Sequence, residues 1–236
     1  MAQSRPRRRG ASAKSQATRE RILLAAAECF AGHGYRVTTV RMICAKAKAN
    51  VAAISYHFGS KRELYVATIS SLYQHSVAPG LTAEPSAVTT AEEWRQQLYA
   101  WSHDMLSCLL GDDRWHEWHA RLFARERTVP TEVLPLILER FVTPVRNRLE
   151  ALLRMALPSD VAPEEVALWT VSTIAQVNIY AFRASPWDSL LIPPGVSRQE
   201  WIERVSRHIV AGITSRLSFR GAATSGQRLA PRIRGS

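Results

Sequence analysis

The chain has 236 residues, of which 46% are hydrophobic and 22% are charged, and this composition excludes an intrinsically disordered protein. Its net charge of +11 is unevenly distributed: residues 1–80 contain 13 Lys and Arg against 3 acidic residues, whereas residues 81–218 contain 14 Arg against 17 acidic residues. The N-terminal third is therefore predicted to bind a polyanion, while the rest of the chain is not.

The chain begins with a basic segment that lacks large apolar side chains. Residues 1–17 predict a flexible basic arm, which is either a solubilising tail or a contact to DNA. From Thr18 onward, Ile22, Ala26 and Phe30 recur at helical spacing and predict the first helix. The glycine-rich triplet at 32–34 is predicted to end this helix.

Two short helices are predicted next. Asn50 is a suitable N-cap for the second of them, which covers 51–58, and Gly59 ends it. Ile54 and Phe58 are four residues apart and are predicted to hold this helix to the core. Two short helices joined at Lys48 form a helix-turn-helix, predicted over 41–60, whose second helix enters the DNA major groove.

The outward face of the second short helix offers few hydrogen-bonding groups. Val51 and Ala52 can touch thymine methyl groups, but they cannot make the bidentate contacts that read purines. Hydrogen-bonded base recognition is therefore predicted to depend on polar residues within or next to the helix-turn-helix, which are Arg41, Asn50, Ser55 and Tyr56. Lys61, in the first turn of the next helix, is placed to bind a phosphate.

Further helical segments complete an all-α chain of about nine helices. Pro79, Gly80 and Pro85 interrupt the pattern, so the sequence predicts a DNA-binding domain over 18–78 and a regulatory domain over 90–218, followed by a basic tail over 219–236. The helices of the second domain are predicted at about 91–110, 114–127, 131–157, 163–184 and 198–218. Pro135 and Pro144 are expected to bend or break the third of these.

The first domain resembles that of the TetR family of bacterial transcription regulators. The resemblance rests on residues 18–40, Asn50, 56–61 and 64–65. In that family the positions that match Thr38, Thr39, Tyr56, His57 and Lys61 commonly contact the phosphate backbone. The family usually has Gly where this chain has Lys48, so the turn is expected to be slightly reshaped.

The second half resembles the CecR-type C-terminal domain found in part of that family. The match rests on Arg125-Glu126, Pro130, 141–144 and the stretch from Ile174 to Arg183. The two resemblances imply a ligand-responsive homodimer, usually a repressor, that binds a double-stranded DNA operator with palindromic symmetry. The apolar helices 163–184 and 198–218 are predicted to pair across the two-fold axis.

An unknown small-molecule effector is expected to bind inside the second domain. Pockets of this kind are mostly apolar and contain a few polar groups. The candidate lining residues are Trp101, His103, Met105, Trp118, His119, Phe123, Trp169, Gln176, Asn178 and Arg183. Because Arg183 is present and acidic residues are not, the effector is predicted to be a neutral or anionic aromatic molecule.

Catalytic and metal-binding patterns are not evident in the sequence. His116 and His119 share a helical face, but no Cys or carboxylate has an obvious ligand role beside them, so no metal site and no cofactor are predicted. Three widely spaced cysteines indicate buried reduced thiols and a cytoplasmic protein. The longest uncharged run, 166–182, contains several polar residues and falls short of a membrane span, so no membrane contact is predicted. Two alternatives remain: an architectural DNA-binding protein without ligand control, and an all-α enzyme with a basic leader.

Overall fold

The computed structural model describes residues 7–86, 88–180 and 193–220, with side chains from residue 13 onward. Throughout these residues the regular secondary structure is helical, which confirms the predicted all-α class. In the same part of the chain, no helix combines the length and the hydropathy that a membrane span requires.

The helices follow one another with short connections. They are α1 (Arg7–Val37), α2 (Val40–Ala47), α3 (Val51–Phe58), α4 (Lys61–Ser76), α5 (Ala91–Leu110), α6 (Arg114–Thr128), α7 (Leu134–Ile137), α8 (Thr143–Arg154), α9 (Pro163–Ile179) and α10 (Arg198–Thr214). A 3-10 turn lies at Pro79–Leu81, and a π-helical segment, Leu138–Val142, joins α7 to α8 without a break. With this joined rod counted once, the described residues form nine helices, as the sequence predicted.

Helix α1 differs from its prediction at both ends. It begins at Arg7 instead of Thr18, so a large part of the predicted arm is helical. Alanine and glutamine have high helix propensity, and the Gln16 side chain donates a hydrogen bond to Glu20 one turn later, at 2.8 Å. At the other end, the helical run continues to Val37 across Gly34, whose φ of +79° and ψ of 167° produce a kink instead of the predicted stop.

The rod formed by α7, the π-helical segment and α8 shows how proline shapes this fold. Pro135 lies in the first turn of α7, and Pro144 lies in the first turn of α8. Pro144 has no N–H for the carbonyl four residues earlier, and the helix adopts the wider π geometry over the turn that precedes it. The predicted helix over 131–157 therefore changes its geometry at Pro144 without breaking.

Two hydrophobic clusters form the core. The first joins α1 to α4 and is completed by Trp118 and Leu122 of α6, which the sequence had assigned to the second domain. The second cluster is built by α5, α8, α9 and α10 around Trp94, Trp101 and Leu149. Helix α6 thus belongs to the core of the N-terminal helices as well as to the regulatory half, and it connects the two.

Candidate nucleic-acid interface

Helix α3 is held firmly on one side and exposed on the other. The Asn50 side chain accepts a hydrogen bond from the Ala53 N–H at 2.7 Å and caps the helix. Ile54 and Phe58 are buried in the first cluster, as predicted. On the opposite side, Val51 is 50% exposed and Tyr56 is 81% exposed. A helix anchored in this way presents its first turn and its tyrosine to a binding partner.

The turn between α2 and α3 contains a lysine in a conformation that usually requires glycine. Lys48 has a φ of +49° and a ψ of 47°, and it is the only non-glycine residue with positive φ in the described part of the chain. The turn is closed by a hydrogen bond from the Ala49 N–H to the Cys44 carbonyl at 3.0 Å. The strained backbone therefore places an exposed ammonium group beside the start of α3.

Most of the other predicted contact residues surround α3 at the surface. Thr39 caps α2 by accepting a hydrogen bond from the Met42 N–H at 3.2 Å, and both Thr39 and Arg41 are exposed. Ala52 and Ser55 are exposed on α3 itself, and the Ser55 hydroxyl donates to the Val51 carbonyl at 3.4 Å. All four residues are therefore accessible to a binding partner, as Val51 and Tyr56 are.

Two residues that were predicted to contact phosphates have side chains that contact other parts of the protein. Thr38 is fully buried and its hydroxyl donates to the Cys29 carbonyl at 3.1 Å, so the prediction that its side chain contacts DNA was wrong. Lys61 lies with its ammonium nitrogen 4.6 Å from the centre of the Tyr35 ring and 3.5 Å from the Arg36 carbonyl. Burial lowers the pKa of Lys61, although Glu132 opposes this effect.

His57 and one arginine outside the predicted set complete the surroundings of α3. His57 is half-buried and packs edge-on against Tyr56, with 5.0 Å between the ring centres. The Arg19 guanidinium lies 5.2 Å from the centre of the Phe58 ring and brings a positive charge from α1 to the end of α3. This role of Arg19 could not be predicted from the sequence, because the contact joins two distant segments.

Helix α6 connects this surface to the second half of the chain. The Arg125 guanidinium donates to the carbonyl of Gly32 at 2.7 Å and to that of Ala31 at 3.3 Å. The neighbouring Glu126 is 3% exposed and accepts a hydrogen bond from the Tyr65 hydroxyl at 2.6 Å. The end of α1 and the first half of α4 are therefore fixed to α6 by charged hydrogen bonds.

Comparisons with known proteins agree with this arrangement of the chain. Residues 22–68 match the bacterial regulatory proteins of the tetR family. Residues 94–214, more than half of the chain, match the C-terminal domain of the HTH-type transcriptional dual regulator CecR. This chain belongs to the TetR family, with a CecR-type C-terminal domain. It is a DNA-binding transcriptional regulator of a non-enzyme family, so the enzyme alternative is set aside.

Individual relatives of this TetR-family chain are distant. The HTH-type transcriptional dual regulator CecR of Shigella flexneri is 28% identical over 179 residues, which cover 72% of this chain and 77% of the relative. A transcriptional regulator from Rhodococcus sp. Rha1 superimposes with a TM-score of 0.58 at 21% identity, covering 84% of this chain and 97% of that one. A TetR regulator from Agrobacterium tumefaciens gives a TM-score of 0.58 at 16% identity, covering 85% and 94%. The two structures support the fold alone.

The residues predicted to line an effector pocket lie in three separate places. On α5, Trp101 fills the core and donates its indole N–H to the Val145 carbonyl at 3.2 Å, while Met105 packs beside it in the second cluster. His103 is half-exposed, with Nδ1 3.7 Å from the Asp104 carboxylate. At this first place, Trp101 and Met105 are therefore packed in the core, and His103 lies at the helix surface.

The second place is the buried face of α6. Trp118 and His119 are buried, and the rings of His119 and Phe123 lie 4.4 Å apart. His119 Nδ1 is 3.4 Å from the Cys108 sulfur. Burial, and then the nearby His116, lower the pKa of His119 to about 4, so its ring is neutral at physiological pH.

The third place is a groove at the surface between α9 and α10. Trp169 and Gln176 line it together with Ile213 and Arg216. Asn178 is half-buried near the end of α9, and Arg183 lies outside the described residues. Among the residues that the structure does describe, no group of three or more His, Cys, Asp or Glu side chains is arranged to hold a metal ion.

Proposed function

We propose that this regulator is a ligand-responsive homodimer that binds a palindromic operator through α3, usually to repress transcription. One observation carries the proposal: α3 is capped, buried on one side, and presents Val51 and Tyr56 to solvent on the other. In the chain, the exposed cations Lys48 and Arg62 precede and follow this helix. A protein that binds chromosomal DNA acts in the cytoplasm, and the proposal includes this location.

Recognition is divided between base contacts and phosphate contacts. Val51 and Ala52, in the first turn of α3, are placed to touch thymine methyl groups, while Asn50 and Arg41 supply hydrogen bonds to base edges. Tyr56, Thr39 and His57 are proposed to contact phosphate oxygens, as are Lys48 and Lys61 through their charge. Helix α3 is proposed to enter the groove by its N-terminal end, where Val51 and Ala52 are exposed.

The second copy is proposed to bind to α9 and α10. Leu168, Val171 and Ile179 of α9 are at least half exposed and, together with Ala175, lie along one side of the helix. Large apolar side chains repeated along one exposed helix face indicate a protein interface. The groove next to this face is lined by α10, so both helices contribute to one surface, as a four-helix interface between two copies requires.

Regulation is proposed to follow from effector binding in the second half of the chain. Because α6 holds both α1 and α4, a ligand that shifts α6 also shifts the elements that carry α3. The relative from Shigella flexneri is named a dual regulator, so the same mechanism is compatible with activation at some promoters. An effector that favours the released state by about 2–3 kcal/mol would give useful induction.

In vitro selection from a pool of random duplexes tests this function. We expect the selected duplexes to share two inverted half-sites whose centres are about one helical turn, or a multiple of it, apart. A selection that enriches no common sequence, or one half-site without its inverted repeat, would contradict the proposal. The Tyr56→Ala variant is the control, because it loses a phosphate contact and should enrich the same half-sites with lower affinity.

A further inference from the structure

Helix α1 begins well before it reaches the hydrophobic core. The helix starts at Arg7, whereas the first buried side chain that the structure describes is that of Ile22. From residue 13 to residue 21, every side chain is exposed or half-buried. We call residues 7–21 the N-terminal segment of α1. At about 1.5 Å per residue, this segment is about 22 Å long.

The N-terminal segment has an unusual composition for a helix. It contains no valine, isoleucine, leucine, methionine or aromatic residue, so it offers no apolar stripe that could pack against the core or against another protein. The Glu20 carboxylate accepts a hydrogen bond from the neutral Gln16 side chain at 2.8 Å. Against this acidic residue the segment carries six cations, which are Arg7, Arg8, Arg9, Lys14, Arg19 and Arg21.

Exposed arginines on other helices are balanced by acidic residues of the same helix. On α10, the Arg204 guanidinium lies 2.6 Å from the Glu200 carboxylate. On α8, Glu150 is contacted by Arg146 at 3.4 Å and by Arg154 at 2.8 Å. Pairs of this spacing are typical of a solvated helix face. The excess of positive charge in the N-terminal segment therefore differs from the ordinary exposed faces of this protein.

The excess charge is costly for an isolated helix. Cations at the start of a helix oppose its dipole, and α1 has no acidic residue in its first turn. Like charges one turn apart also repel each other. Both costs fall when a polyanion lies alongside the helix, because its charges neutralise the cations. The helical form of the segment is therefore suited to contact with a nucleic acid.

The end of the N-terminal segment lies beside the recognition helix. The Arg19 guanidinium is 5.2 Å from the centre of the Phe58 ring, at the C-terminal end of α3. With α3 in the major groove, the segment starts from the edge of the half-site. The segments of two copies repel each other, which favours the outer flanks of the palindrome over its centre.

We propose that the N-terminal segment of α1 binds the phosphate backbone of the duplex just outside each half-site. This inference rests on the proposed binding of two copies to a palindromic operator. At about 3.4 Å per base pair, a segment of about 22 Å spans about six base pairs on each side. Contacts to phosphates carry no base information, so the segment adds affinity without adding sequence preference.

Two duplexes test the proposal. One is the palindrome obtained by selection, and the other carries about eight further base pairs of arbitrary sequence on each side, which exceeds the reach of the segment. Affinity is measured by fluorescence anisotropy at several salt concentrations. We expect the wild-type chain to bind the longer duplex at least about tenfold more tightly and with a steeper dependence on salt.

A charge-neutral variant of the full chain identifies the contribution of the segment. It combines Arg7→Gln, Arg8→Gln and Arg9→Gln, and glutamine retains a high helix propensity. We expect this variant to lose most of the preference for the longer duplex. Its salt slope on that duplex should fall by about five, because three contacts are lost in each of two copies at about 0.9 each. On the palindrome alone it should bind like the wild type.

The matched control removes the same charge far from the segment. It combines Arg95→Gln, Arg146→Gln and Arg154→Gln, which are exposed arginines paired with glutamates on α5 and α8. This variant has the same net charge as the first one. It should keep the wild-type preference for the longer duplex and the wild-type salt slope, because its lost charges do not face DNA.

Three results would overturn the proposal. If the two variants respond alike, the N-terminal segment is a solvated helix whose charge acts only through the net charge of the chain. If the wild type does not prefer the longer duplex, the segment does not reach the flanks. Equal losses on both duplexes would place the segment over the half-sites. Binding of the wild type to the palindrome alone tests the proposed function separately, since it requires only the helix-turn-helix.

Discussion

Helices α3 and α9 both expose large apolar side chains, yet their surroundings differ in charge. The segments that flank α3 carry three exposed cations, which are Arg41 of α2, Lys48 of the turn and Arg62 of α4. Beside the apolar face of α9 the neutral Ser172 and Gln176 are accompanied by Glu165 and Arg216, so these neighbours carry no net charge. An apolar surface flanked by basic residues therefore suits the groove of a nucleic acid. An apolar surface whose neighbours carry no net charge suits a second copy of the protein.

Salt should affect the two surfaces very differently. Because DNA binding releases counter-ions, we expect operator affinity to fall by about 10³–10⁵-fold between about 50 and 200 mM salt. Contact through α9 buries mainly apolar groups and should persist over the same range. Fluorescence anisotropy with labelled operator and sedimentation of the free protein measure the two quantities. If the free dimer dissociates over the same salt range in which DNA binding is lost, the two surfaces do not differ in their dependence on charge.

A charge placed on the face of α9 should separate the two copies. In Val171→Glu, two carboxylates would meet near the two-fold axis without counter-ions, and we expect a folded monomer. Loss of bivalent contact should weaken operator binding by about 10²–10⁴-fold. Val129→Glu is the matched control, since Val129 is similarly exposed but lies after α6. A dimeric Val171→Glu protein, seen by size-exclusion chromatography with light scattering, would exclude this face as the interface.

Removing the tyrosine of α3 should have a smaller effect. Tyr56→Ala loses one neutral contact to phosphate, and we expect about tenfold weaker binding to operator and to unrelated duplex alike. The slope of affinity against salt should stay the same, because tyrosine carries no charge. Tyr56→Phe separates the role of the hydroxyl from that of the ring. Wild-type affinity in both variants would show that α3 does not present this residue to DNA.

The Lys48→Gly substitution, in the strained turn between α2 and α3, should have the smallest effect. In Lys48→Gly, the residue at φ +49° loses its steric conflict, so unfolding should cost about 1 kcal/mol more. The lost ammonium group should reduce the salt dependence of operator binding by about 0.9 in slope. Urea denaturation and anisotropy measure these effects. A less stable variant with an unchanged salt slope would mean that Lys48 serves the fold and not the DNA.

The fold could be predicted from the sequence where the signals were local. Thr39, Asn50, Ser60, Thr90 and Ser197 cap helices in the structure, because a capping side chain acts on residues within its own turn. Helical spacing likewise identified Ile54 and Phe58 as buried. The helical start of α1 was missed, because a basic segment without large apolar side chains resembles a disordered arm. The arginine and alanine residues of this segment nevertheless favour a helix.

The site could be predicted only in part, since its decisive contacts are non-local. Burial of Thr38 depends on the Cys29 carbonyl, and the position of Lys61 depends on Tyr35, so neither could be judged from spacing. The candidate effector residues were selected by type, and packing distributed them over three places.

We propose that two copies of the chain, joined through α9 and α10, bind one palindromic operator through α3. Sedimentation equilibrium of the protein with the duplex obtained by selection tests it most directly, because the method gives the mass of the complex. We predict a complex of two chains on one palindrome, formed from a dimer that already exists without DNA. One chain per palindrome, or a free protein that is monomeric at micromolar concentration, would contradict it.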